Sequence, residues 1–296
     1  MKYQFMQQHA TEFSLKRMSN VFSVSRSGYY RFIKVGLSNR AKENMRLLTE
    51  IKVIHKDSRQ TYGSPRIHAA LGHQDEPCSR KRVARLMKKI GLQAKMKKRY
   101  KITTQQNPKA IAAPNLLQQN FTAERPNLRW VTDITYIATA EGWLYVAAVL
   151  DLFSRRIVGL AMSERMTVDL VLNALNQAVT HRKPGEGLMH HSDKGSQYTS
   201  KDFRKQLKAY SMIVSMSGTG NCYDNAAMES FFHTLKTEHT YFEHYLTREQ
   251  AKQSIFEYVE VFYNRQRLHS TLGYCSPMNF EKKWNQQQEV SFLGVH

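Results

Sequence analysis

The stretch Trp130-Val131-Thr132-Asp133-Ile134-Thr135-Tyr136-Ile137 decides the fold. Its alternation predicts a β-strand, yet a carboxylate stands in the middle, where burial costs on the order of several kcal/mol unless a cation or partner compensates. Downstream, Trp143 to Leu150 reads as a buried apolar strand and Arg156 to Met162 as a third, with intervening turns short enough for antiparallel neighbours. A helix follows from about Val168 to Thr180, then a short strand at Leu188 to His191, a helix from Ser200 through Tyr210, and a strand at Met212 to Ser215. Asn225 to Glu238 reads as helical, and Thr247-Arg248-Glu249-Gln250 is a capping box opening a long helix to about Arg265.

Three strands, helix, strand, helix, strand, helices predicts an α/β core with a mixed five-stranded sheet, of the ribonuclease H type if the first three strands form a meander. With C-terminal helices, this core is expected over 127–285, followed by a tail at 286–296.

Upstream, the composition changes. Of 44 Lys+Arg and 24 Asp+Glu, 25 and 6 precede Phe121, so that part carries +19 and the remainder +1. A solubility surplus would be spread over both parts, whereas charge confined to one segment suits a polyanion, because each neutralised phosphate releases counterions. Residues 1–38 read as a small helical hairpin around Leu15, Met18, Val21, Phe22 and Ser25-Arg26-Ser27-Gly28-Tyr29-Tyr30. Residues 39–94 hold an amphipathic helix across Arg46 to His55, a start at Gly63-Ser64-Pro65 with Ser64 as cap, and a second start at Ser79, closed by Gly91. The last helix carries Arg80, Lys81, Arg82 and Arg85, the pattern of a helix-turn-helix presenting a basic helix to a DNA groove. Residues 95–126, opening with Lys95-Met96-Lys97-Lys98-Arg99, read as a basic linker.

Several classes are excluded. At 41% apolar and 11% aromatic residues the chain is not disordered, and its longest apolar run falls far short of the roughly 18 residues of a membrane span. Met1 to Phe13 has no apolar export core, and Cys78, Cys222 and Cys275 form no disulfide framework, which predicts a cytosolic protein.

Polynucleotidyl transfer needs hard cations to activate an attacking oxygen and stabilise a leaving one, and three carboxylates can hold a pair. Asp133 sits mid-strand, Asp193 follows a strand within His191-Ser192-Asp193-Lys194-Gly195-Ser196-Gln197-Tyr198, and Glu229 shares a polar helix face with His233 and Lys236. Between the first two lie 59 residues, between the second two 35, and Lys236 stands seven beyond the Glu.

This spacing, with Tyr62-Gly63-Ser64-Pro65-Arg66-Ile67, Leu150-Asp151-Leu152-Phe153-Ser154-Arg155, Asn225 to Phe232 and Tyr263-Asn264-Arg265-Gln266-Arg267-Leu268-His269-Ser270, resembles the DDE transposases related to retroviral integrases, specifically the OrfB-type products of two-frame bacterial insertion elements. The resemblance implies two Mg2+ or Mn2+ ions on Asp133, Asp193 and Glu229, with Lys236 contacting DNA. It implies endonucleolytic cleavage at the terminal inverted repeats and strand transfer into target DNA by the liberated 3′ hydroxyl. It also implies a homodimer or larger synaptic complex, an upstream-frame partner with its own helix-turn-helix and leucine zipper, and a nucleoid-associated cytoplasmic location. A ribonuclease H-like nuclease without joining, or a catalytically retired DNA-binding descendant, stays open on the residues alone.

Other residues compete for roles. Asp151 reads as an ion-pair partner of the nearby Arg155 or Arg156, and Asp224 as the cap of the Glu229 helix. His190, His191 and His233 read as hydrogen-bonding groups around the site. Arg265 and Arg267 read as phosphate contacts. His55, His68, His73 and Cys78 lack zinc-knuckle spacing.

Overall fold

The computed structural model of the protein describes residues 2–95, 113–218 and 222–293. It contains two compact units, Met1–Gln93 and Ala94–His296.

In the first unit, α1 (Lys2–Gln8) joins the expected hairpin of α2 (Leu15–Val21) and α3 (Arg26–Val35). The hairpin gains this third helix because Met6, with Tyr3, supplies apolar cover for Met18 and Tyr29. Ser14 and Ser25 cap their helices by accepting from the Arg17 and Gly28 amides. Then α4 (Asn39–Asp57), α5 (Ser64–His73) and α6 (Arg80–Lys89) pack pairwise. They bury Leu47, Ile51, Ile67, Leu71, Val83 and Leu86. Ser79 caps α6 as its sequence predicts, and Gly91 takes the left-handed φ of +71° just past its end. Ser64 does not cap α5; Gly63 holds that place and Ser64 is already helical, which puts Pro65 where its missing N–H costs nothing.

The second unit is built on a sheet ordered β3-β2-β1-β4-β5. Strands β1 (Arg129–Thr139), β2 (Gly142–Asp151) and β3 (Ile157–Ser163) form an antiparallel meander. Helix α7 (Val168–Arg182) then crosses the sheet so that β4 (Met189–Ser192) lies parallel to β1, and α8 (Lys201–Ala209) carries the chain to a parallel β5 (Ile213–Met216). This is the mixed sheet that the pattern predicts. One core joins Trp130, Ala147 and Val149 to Leu170, Val171, Ala174 and Leu175 of α7 and to Tyr198, Phe203 and Leu207.

Helix α9 (Ala226–Glu238) packs on β1, and α10 (Arg248–Glu257), opened by the expected Thr247–Gln250 capping box, packs on β1 and β2. It continues as a π-helical turn, Tyr258–Tyr263. The last helix, α11 (Pro277–Leu293), runs through what reads as a tail, and the buried Glu281 ties its first turns to the half-buried Arg156 and Arg182. Of the expected linker, residues 96–112 lie outside the described residues. Its continuation is pinned to the sheet edge: the Leu116 and Leu117 amides donate to Ser215 Oγ at 2.9 and 3.2 Å, and the Met216 amide donates to the Pro114 carbonyl. No described helix is long and apolar enough to cross a membrane.

Close packing of α7 on the sheet requires a glycine. A Cβ on Gly159 of β3 would sit 2.1 Å from the Ala174 carbonyl oxygen and 2.9 Å from Ala178 Cβ. Gly159→Ala is expected to lower unfolding free energy by about 1–3 kcal/mol, as overpacking does, read by urea denaturation; an unchanged midpoint would show that α7 is free to move away.

Candidate active site

Pairing of β1 with β4 runs through Arg129↔Met189, Trp130↔His190 and Val131↔His191. Two residues beyond the last pair stand Asp133, within β1, and Asp193, just past the end of β4. Parallel register therefore brings together two carboxylates separated by 59 residues of sequence. Asp133 Oδ1 accepts from the Ile134 amide at 2.8 Å, and Asp193 Oδ1 accepts from the Gly195 amide at 2.9 Å. Glu229 lies on the first turn of α9, exposed, and Lys236 is two turns further along.

The start of α9 is fixed from an unexpected side chain. Asn225 is the N-cap residue but makes no cap hydrogen bond; its Nδ2 instead donates to the Thr132 carbonyl at 3.1 Å, beside Asp133. Asp224 does not cap the helix either. It is buried in the preceding 3-10 turn, accepting from the Gly218 amide at 2.7 Å and Gln119 Nε2 at 3.2 Å, so its charge is used to close the loop.

The electrostatics link Asp133 to its neighbours. Burial holds the Asp133 carboxyl well above the usual carboxylate range, and the charges of Asp193 and Glu229 push it the same way, against the Ile134 amide and the Lys236 ammonium. Burial also raises Asp193 and Glu229, and lowers Lys236, whose charge Asp133 in turn favours. Lys236 Nζ lies 4.9 Å from the centre of the Tyr136 ring. Hard oxygen donors under mutual repulsion have the chemistry that a divalent cation relieves. They share a field without forming a closed group: among the described residues no three His, Cys, Asp or Glu side chains are gathered for a metal ion.

The remaining candidates divide by burial. His191 is buried with its ring nitrogens 2.8 Å from Ser215 Oγ and 3.2 Å from Ser217 Oγ, and burial lowers it to about 4. His190 packs edge-on against Phe203, its nitrogens without a partner among the described residues, and burial lowers it to about 3. His233 is exposed on α9. Asp151 is fully buried and does form an ion pair, but with Arg182 of α7 at 3.5 Å rather than Arg155 or Arg156; it also accepts from the Asn127 and Phe153 amides and Trp130 Nε1. Arg182 and Arg156 share Glu281. Arg267 is no surface cation. It is 4% exposed, and its Nε and Nη2 bond both oxygens of Glu238 at 2.7 Å, which anchors the far end of α9. Arg265 is exposed, with Nε on the Glu260 carbonyl. In the first unit Arg80, Lys81 and Arg85 are exposed, whereas Arg82 bonds Asn44 and Glu43 and ties α6 to α4.

Two consequences are measurable. Because folding raises the Asp133 pKa above its ordinary 3.8, the stability it contributes is present in acid and lost as pH rises through the raised value. In chelator at neutral pH, Asp133→Asn is therefore expected to melt above wild type and to flatten the pH profile; a lower Tm would contradict the repulsive site. Arg267→Ala leaves a buried Glu238 charge and is expected to cost about 3–5 kcal/mol in urea unfolding. Full stability with weakened DNA binding would instead restore a phosphate contact there.

Comparison with known proteins identifies the family. Residues 42–100 match an HTH-like domain, and residues 123–222 and 229–284 match integrase core domains, a metal-dependent family. The chain is 46% identical over 269 residues to the insertion element IS600 uncharacterized 31 kDa protein of Shigella sonnei, spanning 91% of this chain and 99% of that one. It is 41% identical over 285 residues to transposase InsF for insertion sequence IS3A of Escherichia coli (strain K12), spanning 96% and 99%. Among solved structures it is similar to a chain of the simian T-cell lymphotropic virus intasome in complex with PP2A regulatory subunit B56 gamma, at 15% identity and a TM-score of 0.47, covering 78% of this chain and 74% of that one. An α/β ribonuclease H-like core after a helical DNA-binding region, at this level of identity over nearly the whole chain, places the protein among the DDE transposases of the integrase superfamily, DNA polynucleotidyl transferases related to InsF.

Proposed function

We propose that Asp133, Asp193 and Glu229 are the catalytic carboxylates of this transposase, that together they hold two Mg2+ or Mn2+ ions, and that Lys236 contacts the DNA they act on. The observation that carries the reading is the placing of Asp133 and Asp193 each two residues beyond the Val131↔His191 pair, with Glu229 and Lys236 together on a helix that packs on β1. When bound, the cations supply Lewis acidity for the attacking and leaving oxygens of an in-line displacement at phosphorus. The chain's own residues supply position. Asp133 on β1 and Asp193 just past β4 each stand two residues beyond the last pair of neighbouring strands, and α9 presents Glu229 and Lys236 from one helix. Attack by water at an element end gives cleavage, and attack by the liberated 3′ hydroxyl on target DNA gives joining.

Affinity has a separate origin. Residues 39–94 form the DNA-recognition module, with Arg80, Lys81 and Arg85 on the exposed side of α6 reaching the duplex, and Arg265 adds an exposed cation in the core. The substrates are the terminal inverted repeats and a target duplex. Joining two ends to one target requires at least a homodimer, and an upstream-frame product completes the machinery on the bacterial nucleoid, in the cytoplasm.

The test is cleavage and joining of labelled duplexes carrying the element's own ends, in magnesium or manganese. Nicked and joined products are expected from wild type and neither from Asp193→Asn or Glu229→Gln, which should still bind; nicks without joining would indicate a nuclease, and activity in either variant would overturn the assignment. Saturating cation should raise the wild-type Tm. Each of Arg80, Lys81 and Arg85 replaced by Ala should reduce the magnitude of the log–log salt slope of binding by about 0.9.

A further inference from the structure

We propose that Thr132 is the positioning residue of this site, joining the segments that carry Asp193 and Glu229 to the strand that carries Asp133. The inference rests on the assignment of those three carboxylates.

Thr132 immediately precedes Asp133 and is 2% exposed. Its hydroxyl donates to the Ala148 carbonyl of β2 at 2.9 Å. A threonine hydroxyl has one proton, so the second contact, 3.2 Å to the Tyr198 hydroxyl, has Tyr198 as donor. Tyr198 is 1% exposed and ends the loop that begins at Asp193. Within that loop the Gly195 amide donates to Asp193 Oδ1 and the Tyr198 amide donates to the Gly195 carbonyl at 3.1 Å. The turn is thus closed on itself and held down at its far end by a phenol wedged against Phe203. Thr132 also offers its carbonyl to Asn225 Nδ2, four residues before Glu229. One residue therefore touches all three segments: it lies on the first, accepts from the second through Oγ1, and accepts from the third through its carbonyl oxygen.

The location of this junction has a physical reason. The β1–β4 ladder ends at Val131↔His191, so beyond it no backbone pairing fixes how far Asp193 lies from Asp133. Side-chain hydrogen bonds take over at the next residue. Burial makes them directional: a phenol hydroxyl and a carboxamide in a dry interior have no water to exchange with, and each is held to the partner it has. A carboxylate set tolerates little displacement, since an error of about 1 Å can cost about 10²-fold in rate.

Thr132→Val and Tyr198→Phe, which remove one hydroxyl each, should lower the single-turnover cleavage rate at saturating DNA about 10–10²-fold while leaving DNA Kd unchanged. Thr132→Ser should restore it to within about threefold. Because both variants remove the same contact, the double variant should be no slower than the slower single one; multiplied losses would mean independent structural damage and would overturn the proposal. Thermal unfolding of every variant verifies folding, and Tyr198→Phe carries the test alone if Thr132→Val does not fold. Asp193→Asn in the same assay separates the two readings. If it is inactive while Thr132→Val and Tyr198→Phe match wild type, the positioning role is wrong and the carboxylate assignment stands; if it is active, the carboxylate assignment itself is wrong.

Discussion

Two like charges held at the end of a parallel strand pair are the constraint on which the rest of this molecule depends. Antiparallel pairing of β1 with β2 and β3 can be made by hairpins, but a parallel neighbour for β1 needs a crossover, and α7 provides it. Only that crossover places Asp193 beside Asp133. The repulsion and desolvation it creates must be covered by packing elsewhere, and the cover is visible: Trp130, Ala147 and Val149 on the sheet meet Leu170, Ala174 and Ala178 of α7 at full burial. A close approach at Gly159 makes that contact possible.

The third of the proposed carboxylates is placed by a different device. Glu229 is on a helix, and a helix can slide or tilt unless both ends are tied. At one end Asn225 bonds the Thr132 carbonyl; at the other the Glu238 carboxylate receives two bonds from Arg267 and one from the Tyr258 hydroxyl. The π-helical turn Tyr258–Tyr263 serves this second tie. Its wider turn allows Tyr258, Val259, Phe262 and Tyr263 all to be buried, with Tyr263 edge-on to Phe231 of α9. Just beyond it, Asn264 bonds both the N–H and the C=O of Ile157 on β3, as a strand would. Buried ion pairs cost desolvation as well as returning attraction, so a pair such as Glu238–Arg267 is better understood as fixing an orientation than as a source of net stability.

How far the sequence could be read follows from the physics of each feature. Alternation and caps are local, so the five strands, α7 to α9, the cap at Ser79 and the capping box at Thr247 were legible within a few residues. The spacing of Asp133, Asp193 and Glu229 was legible for the same reason. Which partner a buried charge selects is not local. Asp151 lies near two arginines in sequence but binds a third, Arg182, brought from α7 by the crossover. Arg267, in a basic cluster that looks solvent-facing, is drawn inward because Glu238 is buried opposite it. Asp224 and Asn225 sit where a helix cap belongs, yet their side chains answer loop and strand groups that no local pattern displays. Tyr198 carries no sequence signal at all, since a buried phenol looks like any other core aromatic until its hydroxyl partner is known.

These inward-turned cations explain why the charge is divided as it is. From Phe121 onward basic and acidic residues nearly balance, and three of the arginines there, Arg156, Arg182 and Arg267, are committed to Glu281, Asp151 and Glu238. Cations held in such pairs do not also supply the counterion release that drives binding to a duplex. Asp133 and Asp193, by contrast, accept from the backbone amides of Ile134 and Gly195. Lys236 holds its ammonium over Tyr136, and its charge favours the ionised Asp133 carboxylate against burial. The proposed division of labour, with most of the affinity in the basic N-terminal region and the chemistry in a nearly neutral core, follows this partition of charge.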